Sequence, residues 1–332
     1  MRRPNRIGYT LAAAIVAVVS IPVAETCAQD NPYRVEAGWA KFPAGKKWGS
    51  TSAVDVDRDG NIWAFERCGD RSCAGSNLAP IFKFDPSGKV LSTFGAGTFL
   101  FPHGMHVDHE GNVWATDAEE EAKDGKGHIV VKFNPQGKVL LVLGKPGVAG
   151  AGPDTFNRPS AVVTAPNGDV FVADGHGGKS NARIVKFSKD GRFIKTWGKK
   201  GTGRGEFDEL HAIAIDSKGR VFVGDRGNSR VKIFDQDGNL LDEWAQFGRP
   251  SGIFIDKNDN MYVTDTQSDA KRNPGGKRGI RVGSARDGSV RYLIPPESDK
   301  ENAPEGVAAD AAGSVFGAVT SGSDGLIKYV RK

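Results

Sequence analysis

Six stretches of this chain align with one another without a gap. They are SAVDVDRDGNIWAFER from Ser52, HGMHVDHEGNVWATDA from His103, SAVVTAPNGDVFVADG from Ser160, HAIAIDSKGRVFVGDR from His211, SGIFIDKNDNMYVTDT from Ser251 and EGVAADAAGSVFGAVT from Glu305. Each holds an alternating apolar run, a tight polar turn and a second alternating run ending near an acidic residue, which is the pattern of an antiparallel hairpin. The turn positions Gly60, Gly111, Gly168, Gly219, Asp259 and Gly313 lie 51, 57, 51, 40 and 54 residues apart. A second set of hairpins falls between them, beginning at Ile81, Ile129, Ile184, Val231 and Ile280. Two hairpins per period make four strands, and a period of this length is that of a propeller blade. The expected fold is all-β: a six-bladed β-propeller of four-stranded antiparallel blades. The last blade has three strands of its own, so a segment near Tyr33 to Phe42 is expected to supply the fourth and close the ring, leaving no open sheet edge.

Composition agrees with a folded, turn-rich chain. Of 332 residues, 38% are hydrophobic and 26% charged, which excludes general disorder, and 44 Gly with 17 Pro supply the turns. The formal net charge of +5 is too small and too dispersed for a nucleic-acid binder.

The first residues read as an export signal: Arg2, Arg3 and Arg6 precede an apolar run from Leu11 to Ala24, followed by Thr26-Cys27-Ala28. Cleavage after Ala28 leaves residues 29–332 as one propeller domain with a charge of about +3, periplasmic or secreted, monomeric and without a membrane span. A single membrane anchor is the rival, but Thr10, Ser20 and Pro22 interrupt the apolar run. Cys68 and Cys73 remain as a C-x4-C pair in one loop, a disulfide in an oxidising compartment.

In a propeller the first strand of each blade lines the axis, so the residues that begin these strands converge at one mouth of the central channel. Around the ring these mouth positions read Ser52, His103, Ser160, His211, Ser251 and Glu305. His103, His211 and Glu305 thus occupy alternate blades. Two imidazoles and a carboxylate with an open fourth position form a catalytic zinc set, and the same ligands suit iron or manganese. The alternative is three solvated groups at a channel mouth. Arg67 and Arg226 end the second strands of blades one and four and are expected on the same face, where guanidinium forks suit a carboxylate substrate. The competing expectation binds each Arg to its preceding acid, Glu66 or Asp225, or to a neighbouring loop. His176, in Asp174-Gly175-His176, reaches the same mouth as acid, base or extra ligand. His106 has the opposite parity to His103 and is expected to point into the sheet packing; His109 sits in a turn and His128 starts a strand.

These residues resemble NHL-repeat propellers and, more closely, the peptidyl-α-hydroxyglycine α-amidating lyase family, most specifically in PHGMHVDHEGNVWATD, Pro102 to Asp117. The resemblance covers essentially residues 29–332 and implies a zinc site of three histidines. His103 in the PHG motif and His211 in LHAIAID match two of them, and Glu305 in Ala303-Pro304-Glu305-Gly306 replaces the third. The two substrate-side arginines match Arg67 in FERCGD and Arg226 in GDRGNSR. A catalytic tyrosine falls on His176, a calcium-binding Asp on Gly306 and a methionine on Ala303. The resemblance implies a metal-dependent lyase that cleaves the C–N bond of a peptidyl α-hydroxyglycine or related small carboxylate substrate, with His176 as base and no structural calcium ligand at Gly306. Two other functions fit the same architecture: a non-catalytic propeller binding a peptide, glycan or envelope protein, and a lactonase-like hydrolase.

Overall fold

A computed structural model describes residues 30–42, 46–296, 303–321 and 325–332. The expected export segment, 1–28, lies outside them. The described chain forms six four-stranded antiparallel sheets, five of them with their strands in sequence order, arranged as the blades of a propeller. The innermost strands are Thr51–Val56, Pro102–Val107, Pro159–Thr164, Leu210–Ile215, Pro250–Ile255 and Gly306–Ala309. Among the described residues no helix is long and apolar enough to cross a membrane.

The sixth blade is completed from the far end of the chain. Tyr33–Glu36 pairs antiparallel with Leu326–Arg331, in the register Tyr33↔Arg331 and Glu36↔Lys328. This strand is shorter than the expected Tyr33 to Phe42 segment because the rest does other work. Trp39 packs against Phe84 of blade one and Phe316 of blade six, and Phe42 stacks near Phe82 and Trp48. A strand followed by an aromatic staple therefore joins the two ends of the ring.

Alternation along the strands buries one apolar row of each sheet against the next blade. Trp63 and Phe65 of blade one, for example, share a core with Val113, Val131 and Phe133 of blade two. The hairpin turns are fixed by side chains as well as backbone. Asp57 accepts hydrogen bonds from the Asn61 amide and the Trp63 indole, and Asp108 does the same for Asn112 and Trp114. The turn residue takes a left-handed conformation, φ +82° at Gly60, and in blade five Asp259 adopts it at φ +61°. An aspartate tolerates that region better than most side chains. Asp259 is also held by Ser217 and Arg286.

A second set of acids controls where each innermost strand begins. Glu66, Asp117, Asp174, Asp225 and Asp265 end the second strands of blades one to five and are fully buried. They accept backbone N–H groups from the loops leading into the same blades: Gly49 at 3.0 Å, Leu100 at 2.7 Å, Asn157 at 2.8 Å, Asp208 at 2.7 Å and Arg249 at 3.0 Å. Just beyond, the register of the innermost strand slips by one residue, at Thr51/Ala53, Pro102/Met105, Pro159/Ala161, Leu210/Ala212 and Pro250/Gly252. Such a bulge re-aims a side chain. The residues freed by it include Ser52, His103, Ser160, His211 and Ser251.

The bulge also corrects the expectation for His106. Strict alternation sends it into the sheet, but it faces the opposite end of the channel, with Nδ1 3.2 Å from Asp55 Oδ2 and Nε2 3.0 Å from Thr164 Oγ1. Cys68 and Cys73 are joined as the expected disulfide.

The turn carboxylates make stability depend on acid. Burial alone would push the Asp108 carboxyl up, but hydrogen bonds from Trp114 and Asn112 outweigh it and hold the group below its ordinary 3.8. A carboxyl lowered on folding contributes stability that is present above its unfolded pKa and lost as pH falls through the folded value. Asp108→Asn is therefore expected to cost about 1–2 kcal/mol at pH 7. Urea unfolding should show that difference shrinking below about pH 4.

Candidate metal centre

The bulged starts of blades two and four bring His103 and His211 together, their ring centroids 4.6 Å apart, and blade six adds Glu305 from the loop before its first strand. Glu305 Oε1 lies 3.0 Å from His211 Nε2 and 3.9 Å from His103 Nε2. His176 joins them, with ring centroids 4.3 Å and 5.1 Å from His103 and His211. Each of these four residues offers a ligand atom, all within 4.8 Å of one another. The expectation of three solvated groups is not met: both mouth histidines are buried, and the Glu305 side chain is 12% exposed.

Both histidines are set for ligation by the next blade around the ring. His103 Nδ1 lies 2.7 Å from the Ser160 carbonyl oxygen, and His211 Nδ1 lies 2.6 Å from that of Ser251. A carbonyl only accepts, so Nδ1 carries the proton and Nε2 presents its lone pair, as second-sphere partners do for metal-binding imidazoles. Both Nε2 atoms are buried without a hydrogen-bond partner, His211 meeting Glu305 in an orientation that forms none. Burial, reinforced by neighbouring His211, holds the His103 imidazole well below its ordinary pKa, and therefore neutral at pH 7. Burial would raise Glu305, yet His211, Arg226 and His103 outweigh it and keep the carboxyl well below its usual range. Two imidazoles with unpartnered Nε2 atoms, His103 neutral, and one ionised carboxylate form a donor set that fits a divalent transition metal.

His176 is held differently. Arg158 donates from Nη2 to His176 Nδ1 at 3.0 Å, and the Arg158 carbonyl accepts the His176 backbone N–H at 2.9 Å. A guanidinium has no acceptor atom, so Nδ1 accepts and the ring proton resides on Nε2. Burial, then the nearby His103 and His211, keep this ring neutral too. In this tautomer His176 has a proton to give, whereas its position in the sequence suggests a base.

Arg67 and Arg226 stand on this face, and neither pairs with its preceding acid; as the competing expectation also allowed, each is bound to a neighbouring segment, Arg67 at Pro102 and Arg226 at Glu209. Glu66 instead holds Lys46 and the Gly49 and Gly69 N–H groups, and Asp225 holds Asp208 N–H, Asn228 and Arg230. Arg67 sits over the Phe101 ring, its Cζ 3.8 Å from the ring centroid, and donates from Nε to the Pro102 carbonyl. Burial lowers its pKa to about 10, which still leaves it charged. Arg226 donates to Glu209 Oε1 at 2.8 Å, and its Nη1 is 3.8 Å from Glu305 Oε1.

Three residues of this face are missed by motif reading: Arg158, Glu209 and Arg249. Arg158 and Glu209 immediately precede the strands that begin blades three and four, and both adopt left-handed backbone, at φ +66° and +56°. Such conformations cost on the order of 1 kcal/mol and cluster at functional sites. The signal available was positional: Arg-Pro-Ser occurs twice, at 158–160 and 249–251, just ahead of two mouth positions.

Residues 161–246 match a family described as a 6-bladed beta-propeller (DUF5128). NHL repeat-containing protein 3 of Mus musculus is 33% identical over 207 residues, covering 60% of this chain and 55% of that protein. This chain is a six-bladed β-propeller similar to NHL repeat proteins and to the amidating lyases. Peptidyl-alpha-hydroxyglycine alpha-amidating lyase 1 of Drosophila melanogaster is 35% identical over 189 residues, covering 51% of this chain and 32% of that protein. The chain spans about half the length of the curated NHL relatives it matches, and less of the lyase. Among solved structures, a gluconolactonase from Xanthomonas campestris superimposes with a TM-score of 0.60 at 14% identity, covering 92% of this chain and 96% of that one, a likeness of fold.

With both Nε2 atoms as ligands, His103→Ala and His211→Ala should each weaken zinc binding more than about 100-fold. Competition with a chromophoric chelator would measure this, with circular dichroism confirming that the propeller remains folded.

Proposed function

We propose that this protein is an exported, metal-dependent lyase that cleaves the C–N bond of an N-acyl α-hydroxyglycine, releasing an amide and glyoxylate. The observation that carries this reading is the pair of unpartnered His103 and His211 Nε2 atoms facing Glu305, with Arg67 and Arg226 beside them. A divalent metal held by His103, His211 and Glu305, zinc in the first instance, supplies Lewis acidity that makes the substrate hydroxyl more acidic. Arg67 and Arg226 bind and orient the substrate carboxylate, Arg67 pre-positioned by its contact with the Phe101 ring. His176 gives its Nε2 proton to the departing amide nitrogen and regains one from the substrate hydroxyl, so the net change moves one proton from oxygen to nitrogen. Arg158 holds that imidazole in the required tautomer. The relatives named as lyases support this reading.

Export to the periplasm or beyond belongs to the same proposal. It rests on the pattern of residues 1–28, and the Cys68–Cys73 disulfide suits an oxidising compartment.

A second reading, a binding propeller without turnover, is favoured by the likeness to NHL repeat-containing protein 3 and by a carboxylate where the lyases place a third histidine. The deciding experiment is elemental analysis of natively purified protein followed by a glyoxylate-release assay on α-hydroxyhippurate. About one metal ion per chain with glyoxylate release supports the lyase; metal without release, or no metal, supports the binding propeller. In an active enzyme, Arg226→Ala is expected to lower kcat/KM by about 100-fold through loss of a charge-assisted contact to the substrate. His176→Phe should depress kcat more than KM, since it removes a proton donor used as the bond breaks.

A further inference from the structure

Positive charge at this face exceeds what the proposed substrate uses. Four guanidinium groups approach it, those of Arg67, Arg158, Arg226 and Arg249, and the Arg226 and Arg249 side chains are only 3% and 6% exposed. The carboxylates sheltered with them are Glu305, Glu209 and Asp265, the last shared with Arg281; the acid partner of Arg158, Glu120, is 65% exposed. A bound divalent cation would add two further charges. One substrate carboxylate, taken by Arg67 and Arg226, leaves the excess largely uncompensated, and uncompensated buried charge is expensive.

Arg249 is the group with the weakest contacts. Its Nη atoms reach the Gly227 and Arg272 carbonyls at 3.4 Å, Glu209 Oε2 at 3.4 Å and Gln267 Oε1 at 3.5 Å, all at the limit of a hydrogen bond. Its Nε is buried with no partner. Beside it a cavity of about 540 Å³ begins at Glu305 and is walled by Gln267, Asp269, Arg272 and Arg278 from the long loop of blade five, with Arg272 bonded through Nε and Nη2 to Asp269 and its Nη1 left for a ligand. A molecule with one end at Glu305 and the other in this cavity passes Gln267 and Arg272, two of the residues that Arg249 touches.

We propose that Arg249, with Arg272 and Arg278 across the cavity, receives a second anionic group of the substrate, so that the preferred substrate is an N-acyl α-hydroxyglycine whose acyl part carries its own carboxylate. The reaction involved rests on the lyase reading above; the preference for two anionic groups rests on Arg249 and the cavity. The planar guanidinium of Arg249 can bind a carboxylate bidentately, and the charges of Arg272 and Arg278 add to the attraction, which a lone ammonium on the rim would not match.

The test uses the full, zinc-loaded protein and two substrates, N-glutaryl-α-hydroxyglycine and its neutral glutaramide counterpart. The expected result is a kcat/KM ratio of about tenfold or more in favour of the glutaryl substrate. That ratio should collapse towards one in Arg249→Gln and fall part of the way in the Arg272→Gln/Arg278→Gln double variant. If Arg249→Gln fails to fold, the double variant, altered on an accessible loop, carries the test. Equal turnover of the two substrates by the unaltered protein overturns this inference and leaves the lyase reading standing. Turnover of neither overturns the lyase reading, and calorimetric titration with glutarate and with butyrate then decides the inference alone. Glutarate binding at least about tenfold tighter than butyrate, with the difference lost in the arginine variants, upholds the second anion site; equal binding of the two overturns it.

Discussion

The site depends on buried carboxylates that the chemistry never touches. At the end of the second strand in five of the six blades, a fully buried Asp or Glu accepts a backbone N–H from the loop that delivers the chain to the channel. In blades one to four that N–H lies three residues ahead of the mouth position, so the hydrogen bond sets where the bulge falls and which side chain it turns inward. Blade six has no such acid. There the Glu305 backbone N–H bonds the Ala318 carbonyl at 2.7 Å, and a carboxylate side chain enters the centre instead of an imidazole. A hydrogen bond to a charged acceptor in a dry interior is strong enough to hold a loop in one place. The ligand positions inherit that precision.

Ring closure contributes the other half. Each mouth histidine is oriented by a carbonyl of the following blade, His103 by Ser160 and His211 by Ser251. The centre therefore has its geometry only when all the blades are docked. The aromatic staple of Trp39 between Phe84 and Phe316, far from the histidine cluster in sequence, maintains the docking at the seam. The same packing removes water from the imidazoles and keeps His103 neutral and able to ligate.

Much of this was legible in the chain itself. Six aligned hairpins implied six blades, and equivalent positions in a pseudo-symmetric ring must converge on the axis, which placed His103, His211 and Glu305 together before any coordinates. Convergence of Arg67 and Arg226 followed from the same equivalence. Arg158, Glu209 and Arg249 escaped because they sit one residue ahead of the strands or the strand prolines, in loops where repeat alignment carries little signal. His106 was misplaced because alternation assumes an unbroken strand, and the bulge after Pro102 reverses its parity.

The amino-acid sequence by itself determined the blade number, the closing segment, the disulfide pair and the identity of the converging ligands, since these follow from periodicity and residue type. Only the tertiary structure decided which nitrogen each imidazole presents, that Arg158 leaves His176 with a proton to donate, and that Arg249 lies buried with weak partners beside a cavity. Those properties arise from contacts between blades, across sequence separations that no local pattern encodes, where a neighbour's carbonyl or guanidinium and the exclusion of water set the state of each group.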